Sequence, residues 1–417
     1  MKNYDVRVLQ PYQRQLICHQ KKGLYMPVIL KIKSTEVGIM DIRDSIYHLL
    51  HKHAVLRTVL FADDVGIKQK TGEPVSVNIL TAKGNKEFQE SYIRAFIAPF
   101  NLLNKPLVRA SIYVYNLSEY LLLFDACRLL IDDASKEFIC KDIAAYLNHE
   151  PDDKMESTTV PELDCYEEFS RSVLYDKQKG VWLAQMMQMS THELSSHHSD
   201  AAYGNGTAYQ IDLEQDKIHE LYHFARQKDT MPFVTILSVF GFLLYSRRVN
   251  QSIVIGTLFP WIQRNRNNRI GQFTKILPIV YQPDPTSSSL YRFLENYRQI
   301  VLEISRNHED PVMEFWEDPT LQPARYMDFM LIYHRNKVID ELPIPGGEMY
   351  IAANRQFSSP VGMELIVYEA AEEKLEIYVN FNNAIYSLDV QDEIRESLKG
   401  LLDKLGSGID ICQIDGK

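Results

Sequence analysis

Between Cys127 and Ser135 the chain places Cys127, Arg128, Asp132, Asp133 and Ser135 in one short segment, YLLLFDACRLLIDDASKEFICKDIAAYL being the wider stretch. A thiol is a nucleophile when its surroundings lower its pKa, and nothing near Cys127 in sequence supplies an activating base. A lone Cys is more often a small core residue. Guanidinium has five donors and no acceptor, so Arg128 cannot take a proton. It can stabilise an oxyanion or fill space with a fixed positive charge. Arg128 and Asp133 are placed for a local ion pair. A candidate proton acceptor is His334: Asp328–His334 alternates, so Asp328, Met330, Ile332 and His334 share one face. A neutral imidazole accepts a proton near pH 7; the plainer reading is a hydrogen-bonded histidine at a strand end. His197 and His198 fall in a Ser, His, Gly and Asn-rich stretch without the Asp that would complete a motif. His48, His51 and His53 read as a solvated helix face, since metal binding needs further ligands that cannot be named.

These groups need elements to hold them. Tyr120–Phe124 has the length and apolar content of a buried strand. Phe138, Ile139, Ile143, Ala144 and Leu147 recur at helix spacing, with Ser135 a plausible N-cap. Strands are expected over Met26–Ile32, Val75–Leu80 and Leu107–Tyr115, and helices over Ile39–His53 and Phe88–Ala98. In the second half, helices are expected over Gln215–Arg226, Phe233–Arg247, Leu290–Ser305 and Val390–Leu405. Strands are expected over Ser252–Leu258, Asp328–Tyr333, Leu365–Tyr368 and Leu375–Phe381. Thr191–Thr207 has no periodicity and reads as an exposed connector.

A chain of 417 residues, 45% hydrophobic, can bury a large core and suits two lobes. The net charge of −10 argues against nonspecific nucleic-acid binding. Arg264, Arg266 and Arg269 form a local basic cluster, read as a solvated loop or a contact for an acidic carrier protein. The five cysteines are widely spaced and lack a Cys-x-x-Cys, which fits free thiols. With no signal pattern and no apolar run of spanning length, the expectation is a soluble cytoplasmic protein, with no membrane partner.

The segment from Cys127 to Ser135 resembles the core motif of the condensation domains of nonribosomal peptide synthetases, His-His-x-x-x-Asp-Gly with a Ser two residues on. Asp132 and Ser135 match; Cys127 stands for the first His, Arg128 for the second, catalytic His, and Asp133 for the Gly. Other blocks follow in the family's order: Pro11–Leu16, Lys52–Leu60 (Arg-His-Glu-x-Leu-Arg-Thr-x-Phe), Tyr166–Phe169, Ile270–Pro278 (Ile-Gly-x-Phe-Val-Asn) and His308–Pro311. The resemblance covers nearly the whole chain. It implies an α/β fold of two chloramphenicol-acetyltransferase-like lobes forming a V with a tunnel at their interface, 1–175 carrying the core motif and 176–417 the second lobe. It also implies that Asp132 is structural and pairs with an Arg, here Arg264, and that Trp261, Asp328, Met330 and Ile332 line the tunnel. Arg128 and His334 are then the candidate catalytic residues.

The pattern Arg-x-x-x-Asp-Asp is similar to that of X-domains, condensation-like folds of glycopeptide-antibiotic synthetases that recruit tailoring oxygenases. Three functions stay open. The first is a stand-alone, monomeric binding module that holds an acyl or peptidyl chain on the phosphopantetheine arm of a carrier protein, or recruits a partner enzyme, with no cofactor or metal of its own. The second is an acyltransferase joining a carrier thioester to an amine or alcohol through a non-standard site. A general base is worth about 10²–10⁴-fold, so a well-placed amine can react without one. The third is a heterocyclisation-type domain, whose Asp-x-x-x-x-Asp-Ala-x-Ser motif this chain meets only at Asp132 and Ser135.

Overall fold

The computed structural model describes residues 6–9, 13–14, 16–17, 24–81, 91–93, 95–150, 173–187, 206–247, 252–260, 270–282, 289–306, 328–335, 341–351, 361–370 and 373–406. The strands are β1 (Arg7–Val8), β2 (Tyr25–Ser34), β3 (Thr58–Asp63), β4 (Gly66–Thr71), β5 (Val77–Thr81), β6 (Val108–Val114), β7 (Glu119–Cys127), β8 (Gly206–Ile211), β9 (Ile253–Pro260), β10 (Thr274–Tyr281), β11 (Phe329–Arg335), β12 (Glu341–Ile344), β13 (Gly347–Ile351), β14 (Met363–Ala370) and β15 (Lys374–Asn382). The helices are α1 (Ile39–Lys52), α2 (Asp133–Leu147), α3 (Val173–Met187), α4 (Gln215–Gln227), α5 (Pro232–Arg247), α6 (Leu290–Arg306) and α7 (Leu388–Gly406).

Two compact units result. The first takes Met1–Glu167 together with Ile262–Thr274 and Val338–Arg355; the second takes Glu168–Trp261, Lys275–Lys337 and Gln356–Lys417. A single cut after residue 175 therefore does not describe the chain, because two later segments belong with the motif-bearing unit. One reason is the β12–β13 hairpin, which pairs antiparallel with β2, Gly347 opposite Ser34 and Ile351 opposite Leu30. Its Pro345-Gly346 turn suits the pyrrolidine φ followed by a positive φ, +63° at Gly346. A side chain at Gly347 would collide with the Lys33 backbone, so only glycine lets the hairpin approach β2.

The first unit's main sheet runs β12-β13-β2-β7-β6-β5. Register puts Val28 opposite Phe124 and Leu30 opposite Leu122, which itself faces Ile112 on β6. Leu30, Ile112, Leu122 and Phe124 are buried, as are Ile42, Ile46, Leu49 and Leu50 along α1. The opposite face is sealed where Tyr92, Ile93, Phe96 and Ile97 pack on Ile29, Tyr113, Leu121 and Leu123. Both faces of β7 are thus covered, which is why its apolar run does not alternate.

The second unit's sheet runs β10-β9-β11-β14-β15-β8, with β11 parallel to β9 and β14, and β14, β15 and β8 antiparallel. Helix α5 is buried from Val234 through Tyr245 and serves as its core helix. Strand β8 starts at Gly206, so the expected connector ends earlier than Thr207. Among the described residues no single helix is long and apolar enough to cross a membrane; α4 and α5 pass that test only as a pair bent by 101°.

Candidate functional site

Strand β7 delivers the motif turn. It runs three residues past the expected end, to Cys127, because Asp125 is compensated. Asp125 is fully buried, its Oδ2 accepts from Arg109 Nε at 3.0 Å, and its Oδ1 accepts from the Met26 backbone N–H at 2.9 Å. Burial raises the Asp125 carboxyl to about 6, against the opposing pull of Arg109, Met26 and Lys136. The Arg109 guanidinium in turn lies over the Phe100 ring, 4.3 Å from its centre, and donates to the Ala98 carbonyl.

After β7 the turn is fixed bond by bond. Cys127 N–H donates to Leu107 O, Arg128 N–H to Leu24 O and Leu130 N–H to Cys127 O, each at 2.8 Å. Gln13 Nε2 donates to Leu129 O at 3.1 Å from the N-terminal segment. Asp132, not Ser135, caps α2: its Oδ1 accepts from Ser135 N–H at 3.0 Å and from Ser135 Oγ at 2.8 Å. Ser135 is the third helical residue, and its Oγ lies 2.8 Å from Gly271 O as well, so its one proton is shared between that carbonyl and Asp132. Asp132 N–H donates to Gly271 O at 3.1 Å, while Phe273 N–H donates to Asp132 Oδ2 at 3.2 Å. Asp132 thus takes backbone donors and a hydroxyl. Its expected partner Arg264 lies outside the described residues, as do Trp261, Arg266, Arg269, the His197-His198 pair and the blocks Tyr166–Phe169 and His308–Pro311.

Arg128 points inward: its side chain keeps 15% of its surface exposed. Its Nη2 reaches Asp133 Oδ2 at 3.4 Å, the expected ion pair, but Lys136 Nζ holds the other oxygen of that carboxylate at 2.8 Å. Cys127 is fully buried and its thiol is pushed up to about 12 by burial, which leaves no thiolate to act as nucleophile. Cys140 behaves in the same way.

His334 belongs to the second unit, whereas Arg128 belongs to the first. It is partly buried near the end of β11, opposite Tyr368 of β14, and the two rings stack at 4.8 Å and 13°. Met330 and Ile332, on its face of the strand, are buried, and Asp328 immediately precedes the strand. Of the histidines expected on a solvated helix face, His51 is exposed, whereas His48 is half-buried and His53 is buried. His53 caps the helix from the C-terminal side, is buried, and meets Asp142 Oδ2 at 2.5 Å, while His48 lies against the Tyr146 ring at 4.9 Å. Among the described residues no group of His, Cys, Asp and Glu is arranged to hold a metal ion.

Residues that sequence reasoning passed over are Arg109, Asp125 and Gln13. Asp125 was visible as one carboxylate interrupting an apolar run, and Gln13 as the centre of the N-terminal block.

Residues 2–408 match the family described as Condensation domain. Bacitracin synthase 1 of Bacillus licheniformis is 22% identical over 422 residues, taking in 98% of this chain but only 8% of that protein. Among solved structures, the complex of the X-domain and OxyB from teicoplanin biosynthesis aligns with a TM-score of 0.84 at 14% identity, covering 100% of this chain and 97% of that one. A mutant starter condensation domain of rhizomide synthetase in complex with C8-CoA aligns at 0.80 and 14% identity, covering 98% and 97%. At such identities the structural likeness bears on fold alone. The match across nearly all of the sequence settles the kinship: this chain belongs to the Condensation domain family.

Proposed function

We propose that this chain works in nonribosomal peptide or related specialised-metabolite assembly as a condensation-like binding module. It holds an acyl or peptidyl chain tethered to a carrier protein by phosphopantetheine, or recruits a partner enzyme to it, and has lost imidazole-based amide synthesis. The observation that carries this reading is the state of the motif turn. Where relatives keep the second imidazole, a largely buried guanidinium stands beside Asp133. The adjoining thiol is silenced by burial, and Asp132 is committed to capping α2 and to Phe273. Neither the Arg128 guanidinium, which has no acceptor, nor the buried Cys127 thiol can take the proton of an attacking amine as an imidazole would. The relatives named above fit this setting: one X-domain is seen with OxyB and one starter domain with C8-CoA.

A second reading, an acyltransferase with a non-standard site, is favoured by one detail. Among the described residues, the Arg128 side chain meets Asp133 only at 3.4 Å, a loose contact that leaves the fork able to turn toward an oxyanion. Incubating the protein with acyl-loaded carrier protein and a panel of amines, and following the carrier's intact mass, separates the two. The binding module gives complex formation without transfer above the uncatalysed rate. Transfer that disappears in Arg128→Ala or His334→Ala rejects it in favour of the transferase.

A further inference from the structure

We infer that the Arg128 guanidinium is a carboxylate-recognition group, so that the bound chain carries an acidic group where this turn meets it. The inference rests on the proposed binding of a tethered acyl or peptidyl chain and adds its chemical class: an acyl group with a terminal carboxylate, or a peptidyl group with an acidic side chain.

Three observations converge. First, the guanidinium is mostly buried yet poorly matched. Its side-chain partner among the described residues, Asp133, lies at 3.4 Å, beyond the ordinary charge-assisted distance of about 2.7–2.9 Å. Asp133 is better engaged by Lys136, at 2.8 Å. The chain's own carboxylate therefore marks where a carboxylate is accepted, without saturating the fork that would bind one bidentately.

Second, positive charge gathers here. Lys136 keeps only 21% of its side chain exposed and lies close enough to Asp125 to favour that group's ionised form. Two nearby acids are already engaged. Asp125 pairs with Arg109, and Asp132 takes the Ser135 N–H, the Ser135 hydroxyl and the Phe273 N–H. A second carboxylate beside Arg128 and Lys136 meets two cations that share one anion, Asp133.

Third, the platform is stiff. The backbone on either side of Arg128 is held by Leu107, Leu24 and Cys127 carbonyls, and the Leu129 carbonyl is held by Gln13. The turn therefore fixes where the Arg128 side chain starts, and its burial to 15% exposure limits the rotamers open to it.

The test compares three soluble probes of equal acyl length: butyryl-pantetheine, succinyl-pantetheine and butyryl-phosphopantetheine, each titrated calorimetrically into the full chain. Succinyl-pantetheine is expected to bind at least about tenfold tighter than butyryl-pantetheine, a gap typical of one partly desolvated ion pair. Arg128→Gln, checked for folding by circular dichroism, removes that gap, Arg128→Lys keeps part of it, and Asp133→Asn widens it. Equal affinity for succinyl and butyryl probes, or a gap that survives Arg128→Gln, overturns the inference while leaving the binding module standing. An advantage seen only with the phosphorylated probe overturns the assignment to a carboxylate and points to the phosphate of the arm. Failure of all three probes to bind removes the module reading, and this inference with it.

Discussion

Arg109 and Asp125 face each other across neighbouring strands β6 and β7 at matched register, and their 3.0 Å bond places an ion pair directly beneath the motif turn. Asp125 has no exposed surface, whereas the Arg109 side chain keeps 26% of its own. Removing one member of such a pair is costly, since the other is left charged and buried. Arg109→Met is expected to destabilise the chain by about 3–5 kcal/mol, with Asp125→Asn milder because the amide still accepts from Met26 N–H. Chemical denaturation of both single variants and the double variant checks this. A double variant less stable than Arg109→Met would show that the two do not act as a unit.

Ser135 links α2 to Gly271, a contact separated by more than a hundred residues along the chain. Its hydroxyl donates and also accepts, receiving the Gly271 N–H at 3.1 Å. In Ser135→Ala the Gly271 amide loses that acceptor in a buried place. A loss of about 1–3 kcal/mol is expected in denaturant unfolding, on the cost of an unsatisfied buried polar group. Ser135→Thr keeps the hydroxyl and separates that loss from the effect of changing volume. An unchanged unfolding midpoint in Ser135→Ala would mean that the tie carries no stability.

The elements were legible wherever period and apolar content agreed. The α1 face of Ile42, Ile46, Leu49 and Leu50, and the uniformly apolar α5, both follow from spacing alone. Strands β3 and β4 did not announce themselves, since Gly66–Thr71 alternates little and is rich in Lys and Gln. The β12–β13 hairpin carried a Pro-Gly turn signal, but its partner β2 lies about three hundred residues upstream, a pairing that no local pattern encodes. At the site, the strand-turn-helix was readable while the cap was not. Asp and Ser are both good caps, and which residue occupies that position depends on the backbone conformation at Asp132, extended at φ −108° and ψ 176°. His53 escaped because a histidine beside two others on a helix reads as exposed until Asp142 is brought to it by α2.

Asp142 ties α2 to the end of α1 through His53 and through Lys52 Nζ at 2.9 Å. Burial alone would raise its carboxyl; the His53 and Lys52 bonds outweigh it and hold the group below the ordinary carboxylate value. A depressed folded-state pKa means that the unfolded chain takes up protons first. Its contribution is therefore complete above the unfolded carboxylate pKa, about 4, and is lost as pH falls through the lower folded value. Asp142→Asn is expected to be less stable than the parent at neutral pH by about 1–3 kcal/mol, with the gap closing in acid. Guanidinium unfolding midpoints at a series of pH values check the sign. A gap that grows on acidification contradicts it.

Cys127 and Cys140 are both buried and both pushed up to about 12 by that burial. Alkylation requires a thiolate with access to solvent. Under native conditions near pH 8, iodoacetamide is expected to leave both residues unmodified, and full labelling to follow only on unfolding, as read by peptide mass spectrometry. Rapid native labelling of Cys127, with Cys140 spared, would reopen the motif thiol as a reactive group.

Tyr297 on α6 is fully buried, yet its hydroxyl has no hydrogen-bond partner, and burial holds that hydroxyl well above the ordinary phenol value. The ring itself is well used, lying 5.2 Å from Tyr281 and 6.2 Å from Phe293. The phenol tip rests on Gly241 of α5, where any Cβ would collide with it. Glycine inside a helix costs about 1 kcal/mol relative to alanine, so its presence here reflects the space the tyrosine occupies. Tyr297→Phe removes an unsatisfied polar atom and keeps the ring packing, so it is expected to be neutral or to stabilise by up to about 1–3 kcal/mol. Gly241→Ala alone is expected to destabilise by overpacking, about 1–3 kcal/mol. Combined with Tyr297→Phe it is expected to stay destabilised, because the two ring carbons nearest the new Cβ, at 2.5 and 2.7 Å, remain after the oxygen is removed. Thermal unfolding of the three variants decides the matter: Tyr297→Phe melting well below the parent would show that the hydroxyl has a partner after all, such as a buried water.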